Sequence, residues 1–384
     1  MLAEPAPAAV LAVLPGSRAV GGAVRDALAG LPVHDVDVAA PLPPEAIAKL
    51  LRNAGLKVIE TGLAHGTVTA VRDGMPVEVT ALRRDVATDG RHAEVEWTTD
   101  WRQDAARRDF TINAMSLAAD GALFDYFGGR EDLAAGRVRF VGDPATRLAE
   151  DYLRALRFFR FEARYGRGVA DADAIAAIRA AVPGLARLSI ERVWMELKRL
   201  LAGPSVAETL TLMQATGVLP AILPEAGPPD ALARLAEPDP LLRFAGLLRD
   251  DADVAALARR LKLSRAEEAT LLAMRGALPA GDDDALRRAL ALHGRDALLA
   301  RARLAEACDG TDRTLLRARL AALPVPEFPL QGRDALALGA VPGPAVGAAL
   351  SMLRDWWMAR GCIDDADACR AELALRLRGS GGGA

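Results

Sequence analysis

Two aspartates at alternate positions, Asp35-Val36-Asp37, follow a glycine pair, Gly21-Gly22, near the start of a 384-residue chain. Alternate side chains of an extended strand share one face, so both carboxylates would project together and repel unless a cation sat between them. Hard divalent cations take oxygen ligands and leave room for phosphates, so such a pair suits Mg²⁺. Bound ions of this kind can activate an attacking hydroxyl and stabilise a leaving pyrophosphate in an in-line displacement. The same residues also fit the solvated face of an edge strand, and the choice between the two rests on their surroundings. Glu78, between Val77 and Val79, adds a third carboxylate if its strand is a neighbour; an exposed strand position is the other reading.

The surroundings hold groups suited to phosphates. The β-prone Arg18–Val20 runs into Gly21-Gly22 and then into a helical stretch that carries Arg25 and stops at Gly30. Glycines at a helix start let backbone N–H groups approach a triphosphate, and the helix dipole adds to the attraction. Farther on, Arg107-Arg108-Asp109-Phe110-Thr111-Ile112-Asn113 sets guanidinium, carboxylate and amide groups beside an apolar segment with helical character. Arginine binds phosphate oxygens bidentately, while Asp109 and Asn113 could exchange hydrogen bonds with ribose hydroxyls. A capped helix start with surface ion pairs is the bland reading, above all for Arg107.

A third group opens with Glu150-Asp151-Tyr152-Leu153-Arg154 and keeps helical spacing to Arg164. Leu148, Tyr152, Leu156, Phe159 and Ala163 form one apolar stripe, and Arg154, Arg157, Arg160 and Arg164 lie opposite. With Asp151 one turn before Arg154, an acceptor and a fork of donors are neighbours that could read the edge of a base. An ordinary surface ion pair is the alternative.

Stepping outward along the chain, β-prone runs at 18–20, 36–38, 68–71 and 77–79 alternate with helical stretches such as 45–54. From about residue 143 onward the sequence reads as helix after helix, punctuated by proline and glycine. The fold class expected is therefore α+β: a small sheet with helices, then an all-helical remainder. We divide it into a mixed segment of strands and helices at 1–140, helical segments at 141–200 and 201–378, and a flexible glycine-rich tail at 379–384. The apolar run at 8–14 has no Lys or Arg before it and reads as a short amphipathic helix rather than a signal peptide.

The formal net charge of −3 excludes a uniformly basic nucleic-acid coat, so any nucleic-acid contact must use local patches. Cys308, Cys362 and Cys369 lack CxxC spacing, which points to reduced thiols and a cytoplasmic protein. His34, His65 and His92 are isolated and suggest no metal pairing.

Taken together, Gly21-Gly22-Ala23-Val24-Arg25-Asp26, Asp35-Val36-Asp37 and Arg107-Arg108-Asp109-Phe110-Thr111-Ile112-Asn113-Ala114 resemble the class II CCA-adding family of tRNA nucleotidyltransferases and poly(A) polymerases. The stretch from Asp125 to Leu133 looks like the family's third motif, Glu150-Asp151-Tyr152-Leu153-Arg154 like its EDxxR motif, and residues 189–198 like its fifth, helix-stabilising motif. The resemblance implies a polymerase-β-like catalytic head at 1–140, a helical neck with the base-selecting helix at 141–200 and an RNA-binding helical body and tail at 201–378, and template-independent addition of CCA to tRNA from CTP and ATP with Mg²⁺. It implies Asp35 and Asp37 as metal ligands, Gly21 and Gly22 at the triphosphate, and Asp151 with Arg154 as base-selecting groups, with Arg157 and Arg160 completing the nucleotide-binding set. Arg84, Asp85 and Arg91 resemble the family's flexible loop, associated there with the switch to adding A. Ala40 and Ala81 stand where Thr is frequent in the family, and His34 where Lys is common. A poly(A) polymerase shares every one of these motifs. From another class, a noncatalytic RNA-binding protein would use arginine-rich surfaces such as residues 313–319. Neither a membrane nor an obligate protein partner is expected.

Overall fold

Short alternating runs of valine and alanine build the sheet, because each strand can bury one face against helices. The computed structural model describes residues 1–60, 62–63, 66–88 and 93–380, with 85–88, 93–95 and 379–380 as backbone only. His65, Arg91 and His92 lie outside the described residues. The strands are β1 (Arg18–Val20), β2 (Val38–Ala40), β3 (Lys57–Ile59), β4 (Thr67–Arg72), β5 (Met75–Ala81), β6 (Arg83–Thr88), β7 (Ala93–Trp97), β8 (Ser116–Ala118) and β9 (Leu123–Phe124). Among the described residues, seven of them form one sheet in the order β3-β4-β5-β2-β1-β8-β9. Only β2 and β5 run parallel, with Val38 opposite Val79.

The helices of this part are α1 (Pro5–Val13), α2 (Gly22–Leu28), α3 (Pro44–Asn53), α4 (Trp101–Ala106) and α5 (Gly129–Ala135). Val10 of α1 and Ile47 and Leu51 of α3 pack with Val38, Val68, Ala70, Val77 and Val79 in one core. Residues 8–13 are helical as the sequence suggests, but the helix is not amphipathic: its segment, PAPAAVLAV, has no polar face, and packing rather than polarity decides which side is buried. A second difference concerns Arg84 and Asp85, which by resemblance belong to a flexible loop. Arg83–Thr88 and Ala93–Trp97 form an antiparallel ladder with a register shift between Asp85 and Ala87. Arg84 crosses it to Glu96 at 2.6 Å, a cross-strand charge pair that favours the hairpin.

Then follow α6 (Pro144–Glu150), α7 (Leu153–Tyr165), α8 (Ala172–Ala181), α9 (Ile190–Leu201) and α10 (Val206–Thr216). The continuous helix expected through residues 148–164 is interrupted: Asp151 is extended (φ −155°, ψ 107°), so α6 ends before it and α7 begins after Tyr152. Phe158 of α7 stacks on Phe140 at 5.9 Å, and Phe110 meets Phe140 and Phe161 at 4.9 and 5.2 Å. Burying each phenylalanine is worth about 1.5–3 kcal/mol, enough to fix the segment around Asp109 against α7. The chain divides into compact units at 1–226 and 227–384, so α10 clusters with the sheet and the neck helices rather than with the residues beyond.

One residue of α7 carries a pH dependence. Glu162 borders a cavity of about 850 Å³ that also touches Ile175 and Leu212, and its Oε1 is buried without a hydrogen-bond partner among the described residues. Burial pushes its carboxyl up to about 7 against the opposing amide of Val138, and Asp171 adds to the rise. The folded state therefore holds this proton more tightly than the unfolded chain, and the stability it confers is present below the unfolded value and lost as pH rises toward 7. Allowing for partial solvent access, the loss is about 1–2 kcal/mol. Glu162→Gln should grow more stable relative to the wild type by that amount between pH 4.5 and 7.5 in urea titrations; a constant difference across that range would assign the effect elsewhere.

In the unit at 227–384 the described elements are helical, from Pro240–Leu247 to Ala366–Ser380, which runs two residues into the expected tail. Trp357, Cys362, Cys369 and Leu373 share a buried apolar cluster, where burial pushes the Cys369 thiol up to about 11. The arginines of residues 313–319 do not form a free basic surface: Arg313 pairs with Asp309, Arg317 with Glu306 and Arg319 with Asp283. Among the described residues no helix is long and apolar enough to cross a membrane.

Candidate nucleotide-binding active site

The sequence places Asp35 and Asp37 within a strand, but β2 starts only at Val38. The antiparallel ladder with β1 stops at Ala19 opposite Val38 because Gly21 turns away, although the Val20 amide still donates to the Asp37 carbonyl at 2.9 Å. The alternation survives without the ladder: Asp35 and Asp37 are exposed, Val36 and Val38 buried. The parallel register of β2 and β5 sets Glu78 beside Asp37, which meets the condition under which Glu78 joins the group. Although Asp37 is open to solvent on one side, desolvation by the cleft walls, then Glu78 and Asp35, push its carboxyl up, and Arg108 opposes them. Among the described residues no three His, Cys, Asp or Glu side chains form a ready metal cage.

Strand, glycine turn and helix follow as the sequence suggests. Gly21 has φ +66°, a backbone conformation that requires glycine, and a Cβ there would crowd Arg108 Nη1 at 3.1 Å. The first amides of α2 have no carbonyl within the helix to bond, which suits an anion. Arg25 donates through Nη1 to Asn113 Oδ1 at 2.6 Å. Residues 107–113 are not the helix the sequence suggests: α4 ends at Ala106, and a single 3₁₀ turn spans Thr111–Asn113. As a result Arg107 turns back on to buried Asp104, 2.8 Å away, and does not line the cleft, while Arg108 does.

Asp109 is the hub of the site. Its Oδ1 accepts from the Phe110 amide and from Asn113 Nδ2, and its Oδ2 lies 2.6 Å from Arg157 Nε and 2.5 Å from Nη2. Burial pushes this carboxyl up, but Arg157, with these hydrogen bonds, brings it below the usual carboxylate range. All its acceptor directions are engaged, so here Asp109 positions Arg157 and Asn113 instead of offering a free acceptor.

The side chains of Asp151 and Arg154 are not paired with each other, although the Arg154 amide donates to the Asp151 carbonyl at 3.0 Å, because each side chain has other partners. Asp151 Oδ1 caps the Leu153 amide at 3.0 Å and Oδ2 takes Arg192 of α9 at 2.6 Å. Arg154 bonds Glu150 and the Arg147 carbonyl, both through Nη1, leaving Nη2 and Nε for a ligand. Arg157 and Arg160 follow at one-turn intervals into the cleft; Arg164 lies outside it. Behind them Glu196 of α9 is 3.0 Å from Arg160 and 3.8 Å from Arg157. The bracing by Arg192 and Glu196 was not legible as such, although Glu196 falls on the apolar face of α9 among Val193, Leu197 and Leu200, where a charge must find a partner.

These groups enclose a cleft of about 430 Å³ whose lining carries six arginines and three aspartates. In a chain of net charge −3 this local excess of guanidinium groups fits a polyanion. Asp37 lines the cleft, whereas Asp35, Glu78 and Arg84 do not; the side chain of Asp85 lies outside the described residues.

Two family models match: the poly(A) polymerase head domain over residues 17–139, and a probable RNA- and SrmB-binding site of polymerase A over residues 171–227. The chain is 40% identical over 360 residues to the mitochondrial CCA tRNA nucleotidyltransferase 1 of Danio rerio, covering 88% of this chain and 83% of that protein. With the human protein of the same name the identity is 38% over 364 residues, covering 90% and 83%. The crystal structure of the Bacillus stearothermophilus CCA-adding enzyme in complex with CTP superposes with a TM-score of 0.77 at 28% identity, covering 99% of this chain and 100% of that one. With this identity spread over nearly the whole length, the chain belongs to the family of CCA-adding tRNA nucleotidyltransferases and poly(A) polymerases.

Proposed function

We propose that this chain adds CCA to tRNA 3′ ends, transferring nucleotides from CTP and ATP without a nucleic-acid template and releasing pyrophosphate. The observation that carries this reading is the seating of Asp37 at the mouth of α2, in a cleft where guanidinium groups outnumber carboxylates. That excess of positive charge suits a triphosphate.

The donor set suits Mg²⁺: hard carboxylate oxygens, with Asp37 pushed up by burial and by the charges of Glu78 and Asp35 beyond what Arg108 offsets. Asp35 and Asp37 would hold the ion, which when bound supplies Lewis-acid activation of the RNA hydroxyl and neutralises phosphate charge. Gly21 opens the start of α2 to the triphosphate, and Arg25 and Arg108 clamp its oxygens from either side. Asn113, held by Arg25 and Asp109, has one amide hydrogen left for the ribose. Arg154 presents donors and Asp151 its remaining lone pairs to the base, so that protein groups replace a template in choosing C or A. The neck at 141–200 supplies these selectors, and the helices from 201 onward serve tRNA. Cysteine usage supports action in the cytoplasm, while the two vertebrate relatives are named mitochondrial.

The test is incubation with tRNA transcripts ending before, within and after CCA, together with an unrelated RNA, supplying CTP and ATP singly and together with Mg²⁺. Growth that stops at CCA on tRNA alone is expected. Long A tails on either RNA would make this a poly(A) polymerase, and no incorporation would leave an RNA-binding protein.

A further inference from the structure

Arg25 is held more closely than a phosphate-binding arginine needs to be. Neighbouring residues of a helix do not normally face each other, yet Arg25 Nε and Nη2 lie 3.0 and 2.9 Å from Oδ1 of Asp26. The same Oδ1 accepts a hydrogen bond from the hydroxyl of Tyr165, the buried last residue of α7. The Arg25 guanidinium also lies over the Tyr165 ring at 4.6 Å and over Phe161 at 5.1 Å. From Arg25 the contacts continue through Asn113 and Asp109 to Arg157, so α7 grips the start of α2 at two points, eight residues apart in sequence. Neither Asp26 nor Tyr165 lines the cleft.

We infer that Asp26 and Tyr165 are positioning residues for the triphosphate, acting together through Arg25. This rests on the function proposed above and deepens it. Asp26 alone would both orient Arg25 and compete with phosphate for its charge. The proton donated by Tyr165 draws part of that charge away, and the aromatic face fixes the guanidinium plane. Burial pushes the Tyr165 phenol up, so it stays a donor across the working range. Since base-reading groups sit elsewhere on α7, the pair affects any nucleoside triphosphate equally.

The experiment is steady-state incorporation of CTP and of ATP into tRNA by the full chain and by Tyr165→Phe, Asp26→Asn and the double variant. Each single change should raise KM for both nucleotides together, about three- to tenfold, with kcat within about twofold. The double variant should be no worse than the weaker single one, since the two residues act as one unit. Additive effects, a fall in kcat at constant KM, a changed CTP-to-ATP ratio or an unchanged KM would each overturn the inference. If Tyr165→Phe fails to fold, Asp26→Asn alone carries the KM comparison. Wild-type incorporation tests the enzymatic reading separately; were it absent, calorimetric titration with CTP would compare the same variants for triphosphate binding.

Discussion

Replacing Asp37 by Asn should reduce nucleotide incorporation by on the order of 10³-fold or more while leaving the fold intact. Lewis-acid stabilisation of a transferring phosphoryl group is worth several kcal/mol, and each 1.36 kcal/mol is a factor of ten in rate. Of the three neighbouring carboxylates, Asp37 is the one that faces the cleft, and its backbone is pinned to the residue before Gly21. The substitution keeps side-chain shape and removes one negative charge. Folding should not suffer, because in the absence of a cation that charge is opposed by burial, Glu78 and Asp35. The two readouts therefore move apart: turnover collapses and the melting temperature stays constant or rises. Near-normal turnover in a folded variant would remove Asp37 from the metal site and leave Asp35 and Glu78 to hold the ion.

How much of this site could be read from the sequence depends on whether a residue's role is local. Gly21 and Gly22 were legible because strand, turn and helix follow one another within a dozen residues, and a positive φ at a helix start calls for glycine. The shared face of Asp35 and Asp37 was legible too, although the strand that was to carry it was not. Alternation needs only an extended backbone, while a ladder needs a partner that continues, and β1 ends too soon. Glu78 depended on which strands are neighbours, and sequence alone does not fix that order. The largest misreading came from spacing. Asp151 and Arg154 look like a one-turn pair, but the pair dissolves because Asp151 spends its side chain on the Leu153 amide and on Arg192, forty-one residues away. Asp151 thus serves as the cap that separates two helices, a role that short polar side chains compete for against helix continuation. Arg107 and Arg108 were likewise inseparable by type; both reach Asp104, at 2.8 and 3.4 Å, and of the two Arg108 also borders the cleft beside Gly21.

The largest effect on stability should come from Glu196→Ala. Glu196 is 5% exposed and faces Arg160 at 3.0 Å, Arg199 at 3.6 Å and Arg157 at 3.8 Å, so three like charges converge on one carboxylate. Removing one partner of a buried ion pair costs about 3–5 kcal/mol, because the remaining charges lose their compensation in a medium that screens poorly. Arg157 keeps Asp109, which favours the lower end of that range. At about 2–4 °C per kcal/mol for a body of this size, the transition of residues 1–226 should fall by roughly 6–12 °C. Arg160 is already held down to about 10, by burial first, against the pull of Glu196 and with Arg157 and Arg199 adding to the depression. Without Glu196 the two cleft arginines repel each other and lose their register along α7, so discrimination between CTP and ATP should weaken along with stability. Glu196→Gln separates charge from packing, since it fills the same volume. A loss close to that of alanine would assign the effect to charge, and near wild-type stability and selectivity in the glutamine variant would reduce Glu196 to a space-filling residue of α9.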